Sequence, residues 1–329
     1  MTVPMNGFLL KRSSPGSKGL VCLRFEGKRG ETYPRDLLLH LKRQWYFFWF
    51  SSWNHTLRDI PYADLIDIFV GWDELLREIR MKKRTDCVLL RGGCETFERH
   101  DSLFFPLEKT ERDIDIIYIA RFIRYKRCDI AIKCVQYLVE RNPSCRALFL
   151  ESVASEPDVH DWVHNERAQL GLERNLTIST VPIAAVNSYL NRARLSLFTS
   201  DEEGICRAVL QSLLAERPLL CFRHTKALTR QFFDDRYFNY YDYQTEQSVG
   251  GAAYTLLAQA PDCNSGSREY LLRERSLKFY NLVEWQANIC RAAEPLYARD
   301  GQELNWADVV PPRDLTLGQA WMEFKLAPQ

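Results

Sequence analysis

Residues 115–151 read DIIYIARFIRYKRCDIAIKCVQYLVERNPSCRALFLE. The apolar run at 115–120 has the length of a buried strand, and the turn after it, RFIRYKR, is charged. From 128 to 141 the apolar residues Ile130, Cys134, Val135, Leu138 and Val139 recur at helical spacing, and ALFLE (147–151) reads as the next strand. The pattern then repeats. A helix is expected over 157–170, a strand at NLTIST (175–180), a helix over 184–193 and a strand at RLSLFTS (194–200). A helix over 204–216 and a strand at RPLLCF (217–222) complete it. Strands alternating this steadily with helices predict an α/β fold with a doubly wound parallel sheet. In such sheets ligands bind beyond the carboxyl ends of the strands.

Two segments fall at such ends. Arg121 and Lys126 share the turn after the first strand, five residues apart, so both cations can reach one point above the sheet. The alternative is a solvated basic turn shared with Arg124 and Arg127. In TSDEEGICRAVLQSLLAERP (199–218) a strand end, a carboxylate-bearing turn and a helix start follow one another. Free N–H groups at a helix start attract anionic or hydroxyl-rich ligands, and Glu203 stands beside them. Glu203 as a capping acid and Gln211 as an exposed helix polar would be the structural alternative.

The first half is less regular. Residues 1–19 are polar, rich in Gly, Ser and Pro, and show no clear period. LVCLRF (20–25), WYFFWF (45–50), ADLIDIFVGW (63–72) and CVLLRGG (87–93) read as strands, with helices after Pro34 and over 73–84. A polar stretch follows, which sets a domain boundary near residue 112. The expected organisation is a short first domain, 1–112, with 297–329 packing back on it, and a second domain, 113–296.

A length of 329 residues suits two domains, and 46% apolar with 26% charged residues is the composition of a globular protein. A net charge of +1 gives no electrostatic footprint for nucleic acid. The opening residues lack the apolar core of a secretory signal, WYFFWF is too short to span a bilayer, and ten cysteines follow no regular spacing. The expected compartment is therefore the cytoplasm, with reduced thiols.

The segment 115–151 resembles the strand–turn–helix–strand of family-4 retaining glycosyltransferases with the GT-B fold. TSDEEGICRAVLQSLLAERPLL is similar to that family's later motif, in which a Glu is followed by seven residues and a second Glu. NLTISTVPIAAVNSYLNRARLSLFTS fits the connecting segment, and FYNLVEWQANI, through Trp285, resembles its C-terminal helix. The likeness spans roughly residues 113–295, in order. It implies two Rossmann-like domains facing a central cleft, the N-terminal one reduced, and transfer of a sugar from a UDP- or GDP-sugar to a hydroxyl acceptor with retention. Arg121 and Lys126 would then hold the donor diphosphate in place of a metal. Glu203 and the N–H groups of Gly204, Ile205 and Cys206 would orient the sugar, Gln211 would hold the ribose, and Val181 and Ile183 would meet the base. No cofactor beyond the nucleotide-sugar, no metal and no nucleic acid are implied. His55 falls in the loop where the family has a cleft-lining His.

Several residues depart from that pattern. Gln211 replaces the second Glu, and neutral hydrogen bonds contribute about 0.5–1.5 kcal/mol against about 1.5–3 for charged ones. Ala120 stands where a glycine precedes the Arg, and Cys206 and Arg207 replace small residues. The first domain is short and shows no glycine-rich phosphate loop. These departures keep open a binding protein on the same fold, or an epimerase or phosphorylase. HDWVH (160–164) places two histidines a turn apart, but a zincin needs Glu beside the first His and a third ligand, so an exposed helix face is expected. The basic end of the helix over 73–84, residues 77–84, suits peripheral contact with anionic lipid or an acidic acceptor, or simply complements its helix dipole.

Overall fold

The computed structural model describes residues 3–23, 34–50, 57–60, 62–71, 73–91, 100–203, 206–225, 238–259, 282–309 and 322–326. The chain divides into two compact units, Met1–Arg99 with Tyr280–Gln329, and His100–Phe279.

The first unit holds β1 (Val3–Lys11), β2 (Gly19–Leu23), α1 (Arg35–Leu41), β3 (Trp45–Phe50), β4 (Ile68–Gly71), α2 (Asp73–Met81) and β5 (Val88–Arg91). The end of the chain adds α9 (Leu282–Arg299) and β12 (Met322–Leu326). The sheet order is β12-β1-β2-β3-β4-β5, parallel from β2 to β5 and antiparallel at β1 and β12. WYFFWF works on both faces, because successive strand residues point to opposite sides. Trp45 and Phe47 pack with Leu38, Leu41 and Leu76 of α1 and α2, whereas Tyr46 and Phe48 pack with Ile289, Cys290 and Ala293 of α9. The Tyr46 hydroxyl donates to the Leu296 carbonyl at 3.0 Å.

The polar opening of the chain is thus a strand, against expectation. Its pairing with β12, Val3↔Leu326 through Gly7↔Met322, comes from the far end of the sequence and leaves no local signal. Lys11, fully buried, is tolerated there because its ammonium donates to the Lys18 carbonyl (2.9 Å), Ser17 Oγ (3.1 Å) and the Arg12 carbonyl (3.2 Å) and faces Asp308 at 3.6 Å.

The second unit runs α3 (His100–Leu103), β6 (Ile114–Ala120), α4 (Cys128–Arg141), β7 (Ala147–Glu151), α5 (Pro157–Gln169), β8 (Leu176–Ser179), α6 (Ile183–Arg192), β9 (Ala193–Phe198), α7 (Arg207–Leu214), β10 (Leu219–Phe222), β11 (Phe238–Tyr241) and α8 (Glu246–Gln259). All its strands are parallel, in the order β11-β10-β9-β6-β7-β8. That is the doubly wound Rossmann order, with the winding reversing between β6 and β9. Ile130, Cys134, Val135 and Leu138 of α4 are buried in one core with Ile116, Tyr118 and Phe149, as their helical spacing predicts. The polar linker expected before residue 112 contains α3 and then Phe104, which is buried.

Gly250 of α8 lies against Tyr137 of α4. A Cβ there would stand 2.3 Å from Tyr137 Cγ and 2.5 Å from its Cβ. The second of these atoms is fixed to the helix backbone, so the two helices must part. Gly250→Ala is expected to destabilise by about 1–3 kcal/mol through overpacking, more than the roughly 1 kcal/mol that alanine gains in a helix interior. A lowered melting temperature in calorimetry checks this.

Candidate functional site

The reversal of winding brings two loops together at the carboxyl ends of β6 and β9. The Asp201 N–H donates to the Tyr125 carbonyl at 2.8 Å and so ties the 199–203 segment to the 121–127 turn. The Lys126 carbonyl accepts from the Tyr118 hydroxyl at 2.8 Å and from Thr199 Oγ1 at 2.7 Å. Arg127 sits in the left-handed region with φ 54°, a conformation that costs a non-glycine residue about 1–2 kcal/mol. Its guanidinium is clamped on Asp129 at 2.9 Å and reaches Asp201 at 3.3 Å. Gln244 holds Asp201 in turn, at 2.6 Å. The backbone on both sides of Lys126 is therefore held by Tyr118 of β6 and by the 199–201 segment that follows β9.

This frame turns the Lys126 side chain inward. Its ammonium meets Glu203 Oε1, and the two side chains are only 12% and 4% exposed. Ser200 Oγ donates to the same carboxylate oxygen at 2.9 Å. Burial pushes the Lys126 ammonium below its ordinary range; the potential of Cys206 opposes this, and Arg121 and Arg207 add to it. Both arginines are exposed. Arg121 donates to the Tyr125 hydroxyl at 2.9 Å, and Arg207 is the first residue of α7. A cation at a helix N-terminus opposes the helix dipole, and Cys206, the residue before it, gives that terminus no side-chain cap. An anion placed there would relieve both.

The structure thus brings Arg121, Lys126, Glu203 and Cys206 to one place. Cys206 is buried against Phe198, Val209 and Leu213, so it serves there as a small apolar residue. Gln211 is buried in α7, 4% exposed, and is not the surface residue that a plain helix polar would be. Val181 is half-buried and Ile183 is 50% exposed, at the carboxyl side of β8, two strands out from β6. His55, Gly204 and Ile205 lie outside the described residues, as does the Trp285 side chain; the Trp285 backbone is part of α9. Sequence reasoning passed over Tyr118, Thr199 and Ser200, the hydroxyls that hold the lysine turn and the carboxylate. The Thr-Ser pair that closes the strand before the acids was their signal.

Comparison with known proteins agrees with this fold. Residues 100–235 match the family model described as glycosyl transferases group 1, a match that starts where the second unit starts. Among solved structures, the pneumococcal O-GlcNAc transferase GtfA, in complex with UDP and GlcNAc, aligns with a TM-score of 0.61 at 12% identity over 83% of this chain and 56% of its own. TarM of S. aureus, in a complex that includes UDP, aligns at 0.57 and 15% identity over 75% and 51%. A glycosyltransferase of Rickettsia africae aligns at 0.59 and 12% identity over 76% and 70%. No curated protein sequence is a significant match. The chain has a GT-B type fold with two Rossmann-like units, and it spans about half the length of the first two of these relatives.

Proposed function

We propose that the chain is a retaining glycosyltransferase that moves a hexosyl or pentosyl group from a UDP- or GDP-sugar to a hydroxyl acceptor, in the cytoplasm, for glycan or glycoconjugate synthesis. The buried Lys126–Glu203 pair at the winding reversal, flanked by Arg121 and Arg207, carries this reading. As the bond between the anomeric carbon and the diphosphate breaks, negative charge grows on the leaving group. Cations already fixed in place stabilise that charge without reorganising, which is the task a divalent metal would otherwise perform. Glu203, with the N–H groups of residues 204–206, orients the donor sugar. Gln211 holds the ribose, and Val181 and Ile183 border the base. UDP in the complexes of the pneumococcal enzyme and TarM supports a nucleotide-sugar donor. Exposed Arg77, Arg80, Lys82 and Lys83, in and just after α2, suit an acidic acceptor or an anionic membrane surface.

Gln211 favours a second reading, a nucleotide-binding protein that has lost transfer. Calorimetric titration with UDP and GDP, followed by mass spectrometry of acceptors incubated with their sugars, separates the two. Nucleotide binding with a sugar-mass increase on an acceptor is the expected result. Binding with neither transfer nor donor turnover favours the second reading, turnover of donor without an acceptor points instead to an epimerase or phosphorylase, and no nucleotide binding removes all three.

A further inference from the structure

Away from the lysine turn, the second unit assembles a set of metal-ligating side chains. His160 and His164 stand one turn apart on α5, so both imidazoles leave the same face of the helix. The last residue of β7, Glu151, brings its carboxylate to them. Its Oε1 and Oε2 lie 2.8 and 3.0 Å from His160 Nδ1, and the two imidazole centroids are 4.5 Å apart. One ligating atom from each of the three side chains falls within 4.8 Å of the others. The Glu151 side chain is 8% exposed and that of His160 42% exposed. A shielded carboxylate therefore backs two imidazoles that keep a side open to water.

We propose that Glu151, His160 and His164 form a binding site for a divalent transition metal ion, with Zn²⁺ as its best-fitting occupant. The donor set decides the class: two imidazoles with one carboxylate suit zinc and its neighbours, whereas all-oxygen sets suit magnesium or calcium. In a tetrahedral site with ligands about 2.0–2.2 Å from the ion, ligand atoms stand about 3.3 Å apart, so side-chain rotations that bring atoms now within 4.8 Å closer by up to about 1.5 Å close the triangle. The ion would take the place of the proton between Glu151 and His160, and the fourth position would stay open on the solvent side.

The third ligand could not be seen in HDWVH itself, because it arrives from the preceding strand. Its position gives the site a structural consequence. Glu151 pairs with Ala120 in the sheet, and the loop between strand and helix is laced to the Arg121 segment: Ser152 N–H to the Ala120 carbonyl (3.1 Å), Phe122 N–H to Ser155 Oγ (2.8 Å) and Glu156 N–H to the Phe122 carbonyl (2.9 Å). A metal bridging Glu151 to α5 would close this loop at both ends. The inference does not depend on the reaction proposed above, since the ion itself is what is measured.

The full chain, stripped with a chelator, is titrated with Zn²⁺ in a calorimeter and with Co²⁺ in a visible spectrophotometer. One ion per chain and cobalt bands of low coordination number are expected. His164→Ala leaves the Glu151–His160 contact in place and so preserves the fold, which circular dichroism verifies. It and Glu151→Gln should each weaken Zn²⁺ binding by more than the about 10–100-fold typical of losing an outer-shell partner. His224→Ala, at an exposed histidine beyond β10, should leave binding unchanged. Wild-type affinity in His164→Ala, or no binding by the unaltered chain, overturns the proposal.

Discussion

Arg121→Ala is expected to lower sugar transfer about 10²-fold or more, the loss typical of removing one group that stabilises transition-state charge. The same substitution should shift the unfolding free energy by no more than about 0.5 kcal/mol, as at an ordinary surface position. The separation follows from geometry. The Arg121 guanidinium is exposed and donates to the Tyr125 hydroxyl, itself a side chain of the same turn. Nothing in the core rests on it, so its loss removes a charge and little packing. Arg121→Lys should recover part of the rate, because a point charge remains while the planar donor fork is lost. Turnover from initial product formation and the melting temperature, measured on one preparation, test both halves. Near-wild-type turnover would remove Arg121 from the mechanism, and a large drop in melting temperature would make it a structural residue.

The second unit was legible from sequence because its signals are local. The apolar residues of α4 recur within one helix, and β7 follows as an unbroken apolar run, so α4 and β7 match their expected spans. Where partners are distant in the chain, the sequence is silent. The Lys126–Glu203 contact joins residues 77 positions apart, and it exists because the sheet places β9 beside β6, an order that composition does not encode. For the same reason β1 was not foreseen, since its outer partner β12 comes from the end of the chain. Gln211 shows a different limit. Spacing marks it as part of a helix, but α7 is buried from Val209 to Leu214, so a polar side chain there is enclosed where periodicity alone would put it in water. The helix expected from residue 204 begins at Arg207, since the apolar repeat that supports it starts only at Ala208 and Val209.

The largest stability effect is expected at the pair itself. Lys126→Met leaves the Glu203 carboxylate, 4% exposed, without its cation, and such an uncompensated buried charge costs about 3–5 kcal/mol. Ser200 Oγ still donates to that carboxylate but supplies no charge. Glu203→Gln strands the ammonium in the same way; burial already disfavours the charged lysine, so part of that penalty is met by losing the proton. The double variant Lys126→Met/Glu203→Gln buries no charge at this point and should be more stable than the sum of the single losses implies. A coupling of about 0.5–3 kcal/mol is expected for residues in direct contact. Because both side chains are almost wholly shielded from solvent, salt should change this coupling little, in contrast to an exposed ion pair. Denaturant unfolding of the four proteins at low and high salt gives the cycle. Turnover should behave differently. Stability returns toward wild type in the double variant, but transfer does not, because the lysine proposed to face the leaving group and the carboxylate proposed to orient the sugar are both gone. Additive losses would mean that the two groups do not act on each other. Recovery of turnover together with stability would mean that the pair holds the fold and takes no part in the chemistry.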